Sequence, residues 1–393
     1  MTTRTSSSSA STDFRTLPLS EMEAIISRFE DRVNAAQRVN PPTQDWVQKA
    51  VRRQGAPRCP VRLKRLSMDV IVRYADDLAE LFSRFPDDAL FFPAYDYSIG
   101  YEPPDRKDRI NEVQVLMQAG EWTDEWGTRW AHALGGVGAT TVDNPIKDWA
   151  QLDDYLAHRM PDPHAAGRLD RARAVLAVHG HDKYCVGMIH LALFERLHCL
   201  RGMENTFYDL HAHKAEVARL CEALTEYLVQ LIREWCRTSV SGIFLTEDWG
   251  SQEGLMISPG MWKEFFKPHY RRIFDEIHHG KKDVFFHSCG NVTRIIPELI
   301  ELGADVLDPV QPAAMDLAEV ARCFGGKICF CGGLDDQRLE SNNPQQVRDE
   351  VRRALETLGS PYGNAYLIAP ANLITPTTPF ENIQALFEAC HAQ

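Results

Sequence analysis

The chain has 393 residues, with 43 lysines and arginines against 55 aspartates and glutamates, a net charge of −12. An acidic surface of that size excludes a general binder of nucleic acid or of anionic membrane, since both need basic surface. Hydrophobic residues at 44% and charged residues at 25% are ordinary for a globular chain, and no apolar run approaches the roughly 20 residues that span a bilayer.

The first dozen residues, Met1 to Thr12, are mostly Ser and Thr and lack the apolar stretch of a secretory signal. Residues 1–17 read as a disordered tail. Residues 18–60 read as a charged helical segment with a break at Gly55-Ala56-Pro57, and residues 61–393 as one barrel domain. Ala89-Leu90-Phe91-Phe92, bounded by Pro93, has the length of a buried strand. Residues 102–180 mix turn residues with tryptophans. Tyr184–Ile189 reads as a strand. Lys214–Trp235 is an amphipathic helix, with Val217, Leu220, Cys221, Leu224, Leu228, Leu231, Ile232 and Trp235 on its apolar stripe.

Short apolar strands then alternate with helices. Gly242–Thr246, Asp283–His287, Ala304–Leu307, Lys327–Phe330 and Ala365–Ala369 are the strands. Pro259–His279, Val292–Leu302, Leu317–Phe324 and Pro344–Leu358 are the helices between them. This alternation predicts right-handed crossovers, a parallel sheet and an eight-stranded (β/α)8 TIM barrel with an N-terminal helical extension. A doubly wound sheet is the competing α/β architecture, but no glycine-rich phosphate loop follows an early strand. The ten cysteines show no framework spacing, which predicts reduced thiols and a cytoplasmic location.

In such a barrel the reactive groups sit at the C-terminal ends of strands. Those ends carry Glu247 and Asp248, His287 and Cys289, Asp308 and Gln311, Cys331 and Asp335, and Asn372. His287 and Cys289 are two apart on a strand and face one side, so an imidazole and a thiolate can share a zinc ion. A buried cysteine beside a hydrogen-bonded core histidine is the plainer alternative. Glu247-Asp248 can bind metal, act as acid and base, or cap the next helix. Asp308 and Asp335 have the same double reading as turn residues. Cys331 is either a third sulfur ligand or a structural thiol.

The strings Phe286-His287-Ser288-Cys289-Gly290-Asn291-Val292, Asp308-Pro309-Val310-Gln311, Gly332-Gly333-Leu334-Asp335 and Thr378-Pro379-Phe380-Glu381-Asn382-Ile383 occur in order. Together they closely resemble the uroporphyrinogen decarboxylase superfamily. Asp124-Glu125-Trp126-Gly127 and Asn144-Pro145-Ile146-Lys147-Asp148-Trp149 resemble the branch that holds the cobalamin-linked methyltransferases. The resemblance implies a (β/α)8 barrel with its cleft at the C-terminal mouth. In the decarboxylase an arginine-rich motif cradles the substrate's carboxylates; here Arg65-Leu66-Ser67-Met68-Asp69 stands in its place, with one arginine left. The decarboxylase tyrosine aligns with His198 and its late histidine with Asn372. In the methyltransferase branch zinc is held by His-x-Cys and a later cysteine. His287 and Cys289 are kept, and Asn372 takes the later position.

The leading expectation is therefore a zinc-dependent, methyltransferase-like enzyme that moves a methyl group between a small substrate and a corrinoid carrier. His287 and Cys289 hold the metal, with Glu247, Asp248 or Cys331 as third ligand. Glu247, Asp248 and Asn372 are the catalytic candidates, and Arg65, Asp96, Gln311 and Asp335 the substrate-binding ones. Cobalamin enters only through a partner protein, and a homodimer is allowed. A metal-free decarboxylase is the second reading, with Arg65 and Arg129 holding carboxylate and Asp96 or Asp248 stabilising a protonated intermediate. A non-catalytic barrel that binds a corrinoid protein is the third.

Overall fold

The computed structural model describes residues 16–93, 117–132 and 139–393. Two helices come first, Leu19–Val39 and Gln44–Val51, separated at Pro41-Pro42, where no helix can continue. Helix Met68–Arg84 follows, then strand β1, Ala89–Pro93. A small antiparallel sheet is formed by β2 (Gly120–Thr123), β3 (Arg129–His132) and β4 (Thr140–Asp143). The remaining strands are β5 (Tyr184–Ile189), β6 (Gly242–Glu247), β7 (Asp283–Ser288), β8 (Val306–Val310), β9 (Cys329–Leu334) and β10 (Tyr366–Pro370).

Strands β1 and β5 to β10 form one parallel sheet in chain order, with helices in the crossovers. The ring closes through residues 60–66. On one side the Arg62 N–H donates to the Ile368 carbonyl at 3.0 Å and the Ile368 N–H to Pro60 at 2.8 Å. On the other side the Asp88 N–H donates to Val61 at 2.9 Å, and the Asp87 and Asp88 side chains accept from Leu63, Lys64 and Val61. The eighth strand position is thus held by bridges and two carboxylates in place of a ladder. The fold is an α/β TIM-like barrel, as expected.

Two apolar layers follow from the alternation of side chains along each strand. Ile243, Leu245, Val284, Phe286, Leu307, Phe330 and Ile368 pack outward against the helices. Phe244, Phe285, Val186, Val306, Cys329 and Leu367 fill the barrel interior. The bottom of that interior is plugged by helix Gln44–Val51, whose Val47 and Val51 are fully buried against the same cluster. Each such side chain contributes about 1.5–3 kcal/mol on burial. Arginines lock the plug to aspartates at the strand starts. Arg52 reaches Asp283 at 2.8 Å, and Arg58 grips Asp88 with two bonds of 2.8 Å.

The expected helix Pro259–His279 is broken at Phe266 into Pro259–Phe265 and Lys267–His279, with Pro268 in the first turn of the second piece. Among the described residues no helix is long and apolar enough to cross a membrane.

Candidate metal site at the barrel mouth

On β7 the residues Phe285, His287 and Cys289 share the inward parity, while Val284, Phe286 and Ser288 face out. On β6 the inward set is Phe244, Thr246 and then Asp248. The ladder places Thr246 beside His287, so Asp248 arrives beside Cys289, whose backbone N–H donates to Asp248 Oδ1 at 2.9 Å. The two exit turns touch backbone to backbone. Gly290 has φ +78°, and a Cβ there would lie 2.2 Å from the Gly250 carbonyl oxygen, so only glycine fits. The Asn291 N–H donates to Ser251 at 2.7 Å, and the Gly290 N–H donates to Gln311 Oε1 at 2.5 Å. Gln311 therefore pins the turn that presents Cys289.

Three donors converge at this point. His287 Nε2 lies 3.5 Å from Cys289 Sγ and 3.8 Å from Asp248 Oδ1, and one donor atom from each residue lies within 4.8 Å of the others. The Asp248 side chain is 45% exposed and that of His287 14%, so the cluster opens toward the mouth. Burial pushes the Cys289 thiol up, and the neighbouring Asp248 adds to the rise. The set is one nitrogen, one sulfur and one oxygen, a combination that zinc accepts. On the chemistry and mutual reach of these donors, the residues present fit such an ion.

Behind His287 lies a fully buried carboxylate. His287 Nδ1 is 2.6 Å from Asp308 Oδ1, and Asp308 Oδ2 accepts from Arg62 at 2.8 Å and Arg65 at 3.1 Å. Burial alone would raise the Asp308 carboxyl; Arg65, Arg62 and His287 outweigh it and hold the group well below the usual carboxylate range. The Arg62 guanidinium sits 3.6 Å over the Phe91 ring and 5.2 Å from that of Phe244.

The other predicted residues have the following partners. Glu247, adjacent to Asp248, has the opposite parity and is fully buried outside the barrel wall. Its oxygens accept from the N–H groups of Leu193, Phe194 and Glu195 at 2.6 to 3.1 Å and from the Tyr270 hydroxyl at 2.7 Å. It satisfies the start of helix Phe194–Arg201 and does not reach His287 or Cys289 as a third ligand; burial pushes it up to about 7 despite these donors. Cys331 faces the interior but lies against Arg62, 3.8 Å from Nη1, and burial raises it to about 12. Arg65 donates through Nη1 to Asp308 Oδ2 at 3.1 Å, close enough to the cluster for its charge to act on Cys289. Asp335 caps helix Asp336–Ser341, accepting from Gln337 and Arg338. Asn372 is exposed on the loop after β10, its Oδ1 accepting from the Leu373 N–H at 2.8 Å. Arg129 lies on β3, paired with Glu121 at 3.3 Å. Asp96 is outside the described residues.

Sequence reasoning missed Arg62, Phe91, Phe244 and Glu195. The alternation Val61-Arg62-Leu63 was the available signal for Arg62: apolar neighbours facing out and a charge facing in. Glu195 opens the helix after β5, accepts from Thr246 Oγ1 at 3.2 Å, and is held well above the usual range by burial and then by Asp248 and Glu247. No sequence signal marks it.

Similarity to known proteins agrees with this geometry. The solved structure of a methyltransferase from Methanosarcina mazei superposes with a TM-score of 0.65 at 16% identity, over 89% of this chain and 98% of that one, which establishes the common fold. Among curated proteins, the uroporphyrinogen decarboxylase of Legionella pneumophila strain Lens is 25% identical over 178 residues, 44% of this chain and 46% of its own length. That of Thermus thermophilus is 26% identical over 180 residues, 46% of this chain and 49% of its own. The chain thus aligns with about half the length of these relatives. The family described as uroporphyrinogen decarboxylase (URO-D) matches residues 140–393, which is more than half of the chain and includes Asp248, His287, Cys289 and Asp308. The chain belongs to the uroporphyrinogen decarboxylase family.

Proposed function

We propose that this barrel is a methyltransferase-like enzyme that holds zinc through Asp248, His287 and Cys289 and moves a methyl group between a small substrate and a corrinoid carrier protein. The observation that carries the reading is the convergence of those three donors at the open end of the barrel. Zinc bound there would supply Lewis acidity that favours the anionic form of a substrate thiol or similar acceptor.

The protein's own residues prepare that reaction. Asp308 fixes the His287 ring from behind. Gln311 and the Gly250–Gly290 contact fix the Cys289 turn. Phe244 packs against the His287 ring at 5.4 Å between centroids, and Phe91 carries the Arg62 guanidinium on its face. Asn372 stands exposed at the rim, where a substrate's polar group can meet it. Corrinoid is supplied by the partner, and no residue here is assigned to hold it.

A decarboxylase reading draws support from the relatives named above. It is weakened by the bonds of Arg62 and Arg65 to Asp308, whose carboxylate already balances part of the positive charge they would offer a substrate. Metal analysis and two assays separate the readings. Purified protein is expected to carry stoichiometric zinc, lost in Cys289→Ala and His287→Ala, and to demethylate methylcobalamin in the presence of a thiol. Absence of zinc together with chelator-insensitive carbon dioxide release from uroporphyrinogen would replace the methyltransferase reading with the decarboxylase one.

A further inference from the structure

The arginines of residues 60–66 face into the barrel, and neither is used by the reading above. Arg62 comes from the segment that closes the ring. Its guanidinium lies flat on Phe91 at 3.6 Å, with Phe244 at 5.2 Å, and donates to Asp308 Oδ2 at 2.8 Å. Its side chain is 8% exposed and that of Asp308 is fully buried. A guanidinium wedged on aromatic faces with a carboxylate at its edge cannot swing without giving up both contacts.

We propose that Arg62 is a positioning residue that locks the His287 ring through Asp308 and so keeps Nε2 turned toward Asp248 and Cys289. A guanidinium has donors only, so Asp308 Oδ2 must accept from it. Oδ1 of the same carboxylate, 2.6 Å from His287 Nδ1, then accepts as well, and the imidazole carries its proton on Nδ1. Nε2 of the same ring is thereby turned to the mouth, 3.5 Å from Cys289 Sγ and 3.8 Å from Asp248 Oδ1. Arg65 reaches the same oxygen at 3.1 Å without a ring beneath it among the described contacts, so it supports the lock more weakly. The place in the chain where an arginine would cradle substrate has become part of the site's scaffold.

This inference deepens the metal reading, and its test keeps the two apart. Full-length protein labelled with 15N-histidine, with the His287 signal assigned by loss in His287→Gln, reports the tautomer directly. The expected result is a proton held on Nδ1 in the unsubstituted protein, a partial loss of that Nδ1–H signal in Arg62→Gln, and recovery in Arg62→Lys. Cobalt(II) titration followed by absorption is expected to show ten- to hundredfold weaker binding in Arg62→Gln, the usual effect of losing an outer-shell partner, and a smaller loss in Arg65→Gln. An Nδ1 without a proton in the unsubstituted protein would overturn the lock without any variant, even if Arg62→Gln failed to fold. So would an unchanged tautomer and unchanged cobalt affinity in a folded Arg62→Gln. A tautomer shift in a protein that binds no metal would retain the lock and remove the metal reading.

Discussion

Two acids one wall apart are treated in opposite ways. Glu247, outside the barrel wall, accepts from dipoles among the described residues: three backbone N–H groups at a helix start and one tyrosine hydroxyl. Asp308, inside it, is met by two guanidiniums and an imidazole. Both are fully buried. Dipoles leave the first carboxyl raised to about 7, whereas formal charges hold the second well below the ordinary range. The outer acid organises a helix. The inner one carries charge into the site and orients a ligand side chain.

The contrast breaks most visibly at Asp308. Asp308→Ala leaves two guanidiniums, 8% and 9% exposed, without their shared partner. It is expected to cost about 3–5 kcal/mol in urea unfolding. A loss under 1 kcal/mol would mean that solvent reaches the arginines (about the value of an exposed pair).

Glu247 gives the next effect, through pH. Its folded value of about 7 lies above the ordinary 4.5, so the folded state holds the proton more tightly. The stability of the unsubstituted protein relative to Glu247→Gln is therefore greatest below pH 4.5 and declines as pH rises to about 7, by about 3 kcal/mol in all. Above that it is level. Paired urea titrations across this range check the sign; a rise with pH would place the carboxyl among cations after all.

Asp248 sharpens the division between the two faces. Asp248→Ala is expected to weaken zinc or cobalt binding ten- to hundredfold, about 1.4–2.7 kcal/mol, while Glu247→Gln leaves it unchanged. Equal effects from both would erase the distinction between inward and outward carboxylates. The smallest effect belongs to Asp335, whose role is to accept from the Gln337 and Arg338 N–H groups. Asp335→Ala should lower stability by about 1 kcal/mol and leave metal affinity untouched.

Much of the barrel was legible because its strands are short apolar runs separated by amphipathic helices. Tyr184–Ile189 and Leu317–Phe324 match the expected bounds, and β6 and β7 run one residue beyond theirs. The ring-closing strand was not legible. Pro60, Arg62, Lys64 and Arg65 give it no apolar run, and it is bound by isolated bridges and side chains in place of a ladder. The small sheet β2 to β4 was hidden for a similar reason: its strands have four residues each and are mostly exposed. At the site, His287 and Cys289 were visible from their spacing on a strand. Choosing between Glu247 and Asp248 needed the ladder register, which a lone strand does not carry. Asp308 stood at a strand exit, but nothing along the chain announces that residues 243 and 246 positions earlier will meet it.

The helix Gln44–Val51, seated beneath the strands with Val47 and Val51 in the interior, makes the barrel a blind well. The filled lower half leaves the open rim as the approach to Asp248, His287 and Cys289, so whatever meets these donors enters and leaves on one side.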